Sequence, residues 1–259
     1  MAFIIFACIF IGIMCIFLLH MYKEAKRNTI VEHVLSFSEF PETFGEVRIF
    51  FISDIHKRRI SHELAERVKG RVDLVIIGGD LTEKGVPLSQ AAENVRLLNE
   101  IGPVYFVWGN NDYETDYHEL DALLLDHKVK ILDNTRVIFE SEEGEKFILL
   151  GVDDAGLKRD RLDLALLDCE EDGFRVLVSH NPDIIHKFTE REQISLVLSG
   201  HTHGGQIRLF QHRRFLKGGL YQYSHTHLLV SNGYGTTLLP LRFRAPAQTH
   251  HITLKATQA

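Results

Sequence analysis

Five short polar clusters in the sequence contain the residue types that bind transition metals, and each follows directly on an apolar run. The clusters are Asp54-Ile55-His56, Gly79-Asp80, Gly109-Asn110-Asn111-Asp112, Ser179-His180-Asn181 and Gly200-His201-Thr202-His203-Gly204-Gly205. Carboxylate and amide oxygens mixed with imidazole nitrogens suit zinc, manganese or iron, whereas calcium takes oxygen ligands alone. Seven ligand-type side chains are more than one tetrahedral ion needs, so the set favours two metal ions that share a carboxylate.

The apolar runs ahead of these clusters alternate with helical patterns in the first half of the chain. Strand-like runs cover 47–53, 72–77 and 104–108, and helical patterns cover 61–69, 88–101 and 114–127. This alternation predicts a mainly parallel α/β sheet, in which ligands bind in the crevice beyond the carboxyl ends of the strands. If the loops share one edge of a sheet, the five clusters form a single pocket.

The second half of the sequence is richer in strands. A hairpin is predicted over 136–150, and further short apolar runs lie at 174–179, 196–199, 228–231 and 252–254. Two packed sheets with helices on their outer faces accommodate this pattern.

Each cluster alone is a weak signal, because Asp-x-His and Gly-Asp often occur as caps and turns. The ordered combination resembles the calcineurin-like metallophosphoesterase superfamily; it consists of Asp54-x-His56, Gly79-Asp80, Gly109-Asn110-x-Asp112, His180 and Gly200-His201-x-His203. The stretches 179–183, 200–207 and 235–243 are similar to a bacterial branch with hydrophobic N-termini. That branch includes lipid-processing phosphoesterases, among them hydrolases of UDP-diacylglucosamine. The similarity extends over about 47–254.

The resemblance implies a four-layer α/β/β/α sandwich of two mixed sheets, with two divalent ions of manganese, iron or zinc. The implied ligands are Asp54, His56 and His203 for the first metal, Asn110, His180 and His201 for the second, and Asp80 as the bridge. Two ions about 3.5 to 4 Å apart clamp a phosphoryl group and acidify a bridging water, whose hydroxide attacks phosphorus in line with the leaving oxygen. We expect a metallophosphoesterase that cleaves phosphoester or pyrophosphate bonds, with Asp80 and Asn111 as catalytic residues.

Two positions depart from the pattern of the family. The family usually has His after the Asn ligand, where this chain has Asn111, and Asp where it has Glu83. An amide donates a hydrogen bond but supplies no proton near neutral pH, and losing a general acid costs about 10² to 10⁴ in rate for a poor leaving group. The rate of hydrolysis of a nucleotide phosphoanhydride would fall less, because its leaving group is good. His225 or His227 could also supply the proton instead. The longer carboxylate of Glu83 is still expected to orient a metal ligand.

The N-terminal residues read as a transmembrane helix. Within 2–19 no residue is charged and all but Gly12 are apolar, and eighteen helical residues span about 27 Å, close to the hydrocarbon thickness of a bilayer. A cleaved signal peptide is disfavoured because no basic residue precedes the run and no small-residue cleavage site follows it. A buried core helix is disfavoured because every face is apolar. Lys23, Lys26 and Arg27 after the run place the body of the protein in the cytoplasm.

These patterns divide the chain into three parts. They are a transmembrane anchor at 1–22, a juxtamembrane segment and lead-in at 23–46, and a metallophosphoesterase domain at 47–259. Within the lead-in, 29–46 contains Pro41 and Gly45 and is expected to be irregular. The basic run Lys57-Arg58-Arg59 either meets a substrate phosphate or anionic lipid headgroups, or it is a solvated loop.

Composition narrows the function classes. The 259 residues include 29 basic and 35 acidic ones, for a net charge of −6, so we expect no nucleic-acid partner. Three cysteines cannot make a disulfide framework, and Cys169 alone lies outside the apolar N-terminus, which suits a reducing compartment.

The sequence therefore predicts a single-pass protein of the cell membrane with a cytoplasmic, metal-dependent phosphohydrolase domain. Its expected partners are the membrane, through the N-terminal helix, and a phosphorylated small-molecule or lipid-linked substrate. The alternatives are a phosphodiesterase acting on soluble nucleotides and a non-catalytic scaffold on the same fold.

Overall fold

The computed structural model describes residues 1–167, 172–209 and 215–257. Its strands are β1 (Thr29–Phe37), β2 (Glu46–Ile52), β3 (Leu74–Gly78), β4 (Val104–Val107), β5 (Lys130–Ile131), β6 (Thr135–Glu140), β7 (Lys146–Gly151), β8 (Phe174–Val178), β9 (Ile194–Ser199), β10 (Gly219–Gln222), β11 (His227–Val230) and β12 (Gln248–Ala256). The α-helices are α1 (Ala2–Ala25), α2 (His62–Val68), α3 (Leu88–Asn99), α4 (Tyr117–Asp126) and α5 (Leu162–Ala165).

The strands form two six-stranded mixed sheets. The first has the order β1-β12-β2-β3-β4-β5, and the second has the order β10-β11-β9-β8-β7-β6. Strands β2 to β5 run parallel, as do β7, β8, β9 and β11, while β12 runs antiparallel to β2. The predicted sandwich of two mixed sheets is confirmed.

The central strands are buried on both faces, and alternate side chains serve different layers. Along β2, Phe50 and Ile52 pack with the apolar faces of α2, α3 and α4, whereas Ile49 and Phe51 point into the core between the sheets. A third cluster, which includes Ile148, covers the outer face of the second sheet beside α5. This alternation gives one layer of side chains between the sheets and one on each outer face.

The expectation of an irregular lead-in is wrong for Thr29–Phe37. These residues form β1, which pairs in parallel with β12 from Thr29 opposite Gln248 to Phe37 opposite Ala256. Pro41 and Gly45 both come after the strand ends, so neither interrupts it. Because its partner lies more than 200 residues away, no local pattern indicated the pairing.

Among the described residues, α1 is the one helix long and apolar enough to cross a membrane by length and composition. Its most apolar 18-residue window has a mean hydropathy of 3.1, and none of that window is buried by the rest of the chain. The helix continues to Ala25, and its last turns pack onto the domain through Met21, Glu24 and Ala25. Cys8 and Cys15 are exposed free thiols on α1, and Cys169 lies outside the described residues.

Candidate metal centre

The five polar clusters meet where the parallel strands of both sheets end. β2, β3 and β4 are parallel neighbours in the first sheet, and β8 and β9 are parallel neighbours in the second. Within the first sheet, the backbone N–H of Asp54 donates to the carbonyl of Gly79 at 3.0 Å. Between the sheets, His180 Nδ1 donates to the carbonyl of Gly78 at 2.8 Å. These bonds bring the loops of both sheets to one edge.

Four buried side chains lie close enough to bind one metal ion. One ligand atom from each of Asp54, His56, Asp80 and His203 lies within 4.8 Å of all the others. The Nε2 atoms of His56 and His203 are 3.0 Å apart, and His203 Nε2 is 3.3 Å from Asp54 Oδ1. Two nitrogens at tetrahedral zinc are about 3.4 Å apart, so a small separation of the two rings would accommodate a shared ion.

The second group of predicted ligands adjoins Asp80. The Oδ2 atom of Asp80 lies 3.1 Å from His180 Nε2 and 3.7 Å from His56 Nε2, so this carboxylate stands between two imidazoles. The His201 ring meets the His180 ring edge-on at 5.1 Å. The side-chain oxygen of Asn110 is buried without a hydrogen-bond partner in the structure. A carboxylate between two imidazoles suits the bridging position that the resemblance implies for Asp80.

A hydrogen bond and an ion pair fix the orientation of two candidate ligands. Since a carbonyl only accepts, the bond to Gly78 requires a proton on Nδ1 of His180 and leaves Nε2 toward Asp80. Glu83 holds the other histidine, because its Oε2 lies 3.0 Å from His56 Nδ1. The longer carboxylate thus reaches a candidate ligand, as expected.

Asp112 ties two of the loops together rather than entering the cluster. Its carboxylate accepts hydrogen bonds from the backbone N–H groups of Asp80 at 2.9 Å, Thr82 at 3.1 Å and Gly109 at 2.9 Å. Burial and the charge of Asp80 raise the pKa of Asp112 to about 7, although the bonds from Gly109 and Thr82 oppose the rise. Replacing Asp112 would leave buried donors unpaired.

The backbone at the cluster adopts conformations that side chains other than glycine rarely take. Five of the seven predicted ligands have left-handed φ angles; they are Asp54 (53°), His56 (52°), Asp80 (52°), His201 (68°) and His203 (50°). Such residues each cost about 1 to 3 kcal/mol and concentrate at functional sites. Glycine accommodates the tight packing nearby, since a Cβ at Gly109 would collide with Asp80 and one at Gly200 with Asp54.

The charge of the cluster favours a cation. Burial lowers the pKa of His180, but the Asp80 carboxylate outweighs this effect and raises the pKa to about 10. Burial also lowers the pKa of His56, but its carboxylate neighbours raise it overall. The pKa values of His201 and His203 are lowered, first by burial, so both imidazoles stay neutral and able to bind metal. Without metal, protonated histidines balance the negative charge of these carboxylates, and a divalent cation would take over that role.

The cluster opens into a cleft of about 320 Å³. Its walls are Asp80, Asn110, Asn111, His201, Thr202, His203, Gly205, Gln206, Phe215 and Thr237. Asn111 lies half-buried at this cleft, where its backbone N–H donates to Asp80 Oδ1 at 2.8 Å and its side-chain oxygen accepts from Asn110. The cleft therefore has room for a phosphoryl group beside both Asp80 and Asn111.

The two histidines considered as substitutes for the missing acid lie elsewhere. His225 is exposed and pairs with Glu190, and the ring of His227 packs edge-on against Phe37. His227 lies opposite Leu196 near the beginning of β9, at the edge far from the cleft. Among the described residues, His201 and His203 are the imidazoles that line the cleft, and both are predicted ligands.

The basic run 57–59 as a whole is neither a binding site for phosphate or lipid headgroups nor a solvated loop. Lys57 pairs with Glu83 at 2.5 Å, and the exposed Arg59 pairs with Glu93. Arg58 is buried, with its guanidinium 3.6 Å from the ring centre of Tyr234. Arg58 is therefore structural, and a solvated loop describes only the exposed Lys57 and Arg59.

Sequence reasoning missed two charged residues beside the cluster. Arg242 is fully buried, and its guanidinium donates to the carbonyls of Asn232 at 2.6 Å, Gly235 at 2.7 Å and His203 at 3.1 Å. Asp154 is buried with Oδ2 unpartnered, and burial raises its pKa despite the nearby His180. The sequence did contain signals that could have identified both residues. Arg242 lies in the stretch 235–243, which is similar to the bacterial branch of the family, and Asp154 closely follows the apolar run of β7.

Comparisons with known proteins agree with this arrangement. The model of the calcineurin-like phosphoesterase family matches residues 47–205. The uncharacterized protein YpbG of Bacillus subtilis is 43% identical over 242 residues, which cover 90% of each chain. A Danio rerio protein named as a transmembrane protein with metallophosphoesterase domain is 31% identical over 256 residues, covering 90% of this chain and 59% of that protein. The uncharacterized metallophosphoesterase YkuE of Bacillus subtilis is 27% identical over 256 residues, covering 91% of this chain and 88% of YkuE. With a family match over more than half of its length and a buried aspartate–histidine cluster at the matched loops, this chain belongs to the calcineurin-like phosphoesterase family and is a metal-dependent phosphoester hydrolase.

Proposed function

We propose that this chain is a membrane-anchored phosphohydrolase that uses two divalent metal ions to cleave the phosphoester or pyrophosphate bond of a phosphorylated small molecule or a lipid-linked phosphate. The observation that carries the proposal is the position of Asp80, whose carboxylate lies between the imidazoles of His56 and His180. Asp54 and His203 complete one side, and the buried oxygen of Asn110 is available on the other. This set of donors fits two ions of manganese, iron or zinc.

The residues of the chain prepare the site for in-line attack. When bound, the metals would acidify a water and neutralise charge on the phosphoryl oxygens. Glu83 and the carbonyl of Gly78 hold His56 and His180 in place before substrate arrives, so little reorganisation is needed. The side chain of Asn111, at the wall of the cleft, donates a hydrogen bond to a phosphoryl oxygen.

Asn111 also restricts the substrate. Because an amide supplies no proton, an alkoxide leaving group receives little help at this position. Activated leaving groups, such as the phosphate of a pyrophosphate bond, are therefore favoured. This preference keeps soluble nucleotides as the second candidate substrate class.

The anchor is supported by α1 and by the name of one relative. The helix is long and apolar enough to span a bilayer, and the Danio rerio relative is named as a transmembrane protein. Lys23 and Lys26, exposed just after the apolar run, favour a cytoplasmic domain. A single-pass anchor keeps the cleft at the membrane surface, where lipid-linked phosphates are concentrated.

The test uses the full chain in detergent, stripped of metal and reloaded with manganese. Turnover of a chromogenic phosphodiester and of the matching monoester is measured for the wild type, for Asp80→Ala, and for Asp163→Asn, which changes an exposed carboxylate paired with Arg161. We expect manganese-dependent turnover that falls more than about 10²-fold in Asp80→Ala and is retained in Asp163→Asn.

Two outcomes would contradict the proposal. Failure to bind manganese would remove the metal centre itself. Two bound metals without turnover of any phosphoester or pyrophosphate would favour the scaffold on the same fold.

A further inference from the structure

A loop beside the cleft presents leucines to solvent. In the segment 236–241, here called the lip, Leu238 is 93% exposed and Leu239 is 58% exposed. Leu238 also has a left-handed φ of 56°, a conformation that costs free energy and that no burial of its side chain offsets. Two adjacent exposed leucines on a strained backbone indicate a surface that binds something apolar.

The lip is joined to the wall of the cleft. Gln206 Nε2 donates to the carbonyls of Thr237 at 2.9 Å and Leu239 at 3.1 Å, and the N–H of Thr237 donates back to Gln206 Oε1 at 2.9 Å. Gln206 and Thr237 both line the cleft, together with His201 and His203. The lip is therefore attached to the wall of the cleft and lies beside it.

Sheet topology places α1 at this same edge. β1 runs parallel to β12 and β12 runs antiparallel to β2, so β1 begins where β2 ends. Three residues, 26–28, connect α1 to the beginning of β1. The helix therefore leaves the domain at the edge that carries the metal cluster.

Contacts with α1 set the depth of the residues that directly follow the lip. The ring of Phe243, two residues after the lip, meets the ring of Phe17 at 5.1 Å, and the N–H of Arg242 donates to the carbonyl of Met21 at 3.0 Å. Phe17 lies within the apolar run 2–19, which must occupy the hydrocarbon region if the helix spans a bilayer. The segment that follows the lip therefore lies at the level of the bilayer surface.

The helix is held rigidly in this position. The buried Arg58 donates to the carbonyls of Ala25 at 3.3 Å and Lys26 at 2.7 Å, and to Asn28 Oδ1 at 2.7 Å. Its guanidinium also donates to the carbonyl of Tyr234 at 2.6 Å. These bonds satisfy the last carbonyls of α1 and connect them to the loop of Tyr234, which directly precedes the lip.

Basic residues surround the apolar tip. Lys23 and Lys26 are exposed at the end of α1, and Arg244 is exposed next to Phe243, with its guanidinium 5.2 Å from that ring. Apolar side chains flanked by lysine and arginine are typical of segments that enter a bilayer while their charges meet anionic headgroups. Charge and continuity with α1 thus favour lipid as the occupant of this surface.

We propose that the lip inserts Leu238 and Leu239 into the bilayer that α1 crosses, so that the cleft opens at the membrane surface onto substrates whose phosphate lies at headgroup depth. This inference rests on the membrane anchor of the proposed function. It assigns the substrate to membrane lipids, whose acyl chains stay in the bilayer while the phosphate reaches Asp80.

The test measures contact between the lip and acyl chains. The full chain is reconstituted into vesicles of phosphatidylcholine and phosphatidylglycerol, with or without bromine on the acyl chains, which quenches nearby tryptophan. Tryptophan is introduced as Leu239→Trp on the lip, as Phe6→Trp on α1, and as Leu125→Trp on α4. Leu125 is a matched control, because it is also 58% exposed but lies just before β5, at the edge far from the cleft. The native Trp108 is buried and provides a constant background, measured in the wild type.

We expect the added emission of Leu239→Trp to shift to the blue and to fall about twofold in brominated vesicles, as an indole among lipid chains does. Phe6→Trp should behave alike, and Leu125→Trp should be unaffected. Quenching of Phe6→Trp without quenching of Leu239→Trp would overturn the insertion of the lip and leave the anchor standing. Absence of quenching in both would overturn the anchor as well, while manganese-dependent turnover tests the hydrolase independently.

Discussion

Asn111 is the residue at which this chain differs most from the chemistry expected of its family. Its backbone is held by Asp80, and its side chain lies half-buried at the wall of the cleft. The two imidazoles at this wall, on His201 and His203, are candidate metal ligands, and a nitrogen that binds metal donates no proton. At the scale of single residues, we therefore propose that Asn111 governs the choice of leaving group.

Replacing Asn111 by histidine should widen the range of leaving groups. Asn111→His is expected to raise kcat about 10²-fold for alkyl phosphoesters, which need a proton, and to change nitrophenyl esters little. The measurement is kcat for a series of esters of rising leaving-group pKa, compared between the wild type and the variant. Equal effects across the series would show that position 111 does not act on the leaving group.

Among the secondary-structure elements, α1 is held at its connection to β1 by an unusual set of hydrogen bonds. The last carbonyls of α1 are satisfied by a buried arginine from the loop after β2, Arg58, and within the described residues no carboxylate forms an ion pair with it. Burial lowers the pKa of Arg58, which fits a cation held mainly by carbonyls and an aromatic ring. Removing it would leave these carbonyls buried without donors.

Arg58→Met should therefore destabilise the protein by about 3 kcal/mol. Arg59→Met is the matched control, because it changes an exposed neighbour by the same substitution and should cost less than about 0.5 kcal/mol. Thermal unfolding of the full chain in detergent, recorded for both variants and the wild type, gives the comparison. A loss no larger in Arg58→Met than in Arg59→Met would contradict the structural role.

For the whole molecule, the metal centre connects the two sheets. Its candidate ligands come from loops after β2, β3, β4, β8 and β9, so bound metal should stabilise the complete sandwich. Manganese at 100 times its Kd adds about 2.7 kcal/mol to the free energy of unfolding. Since the pKa of His180 is raised to about 10 without metal, the imidazole is protonated at neutral pH and metal must displace that proton.

The stabilisation by manganese should therefore shrink as the pH falls. At a fixed manganese concentration, the rise in Tm over the chelated protein is expected to be larger at about pH 8 than at about pH 6. Asp80→Asn, which removes the charge between the two imidazoles, should show little rise at either pH. If manganese raised the Tm of the wild type more at about pH 6 than at about pH 8, the predicted coupling between metal binding and proton release would be contradicted.

The sequence by itself determined which residues gather at the site. Asp54, Asp80 and Asn110 each follow a strand of the first sheet within a few residues, and the ends of parallel neighbours share an edge, so a local pattern was enough to bring these three together. His201 follows β9 of the second sheet in the same way, but the packing of the two sheets brings it to the others. The order of these clusters also indicated the family and the two-sheet sandwich. The apolar runs of the strands and of α1 are equally local, and both could be read directly from the residues.

Only the tertiary structure decided how distant segments meet. β1 pairs with β12 across more than 200 residues, Arg58 reaches back to α1, and Arg242 reaches His203. The contact between α1 and the residues after the lip also joins distant segments, since Phe243 and Phe17 are 226 positions apart in the chain. Hydrophobic periodicity repeats over a few residues and carries no information about which remote segment supplies the partner. Those contacts follow from the packing of the two sheets as a whole.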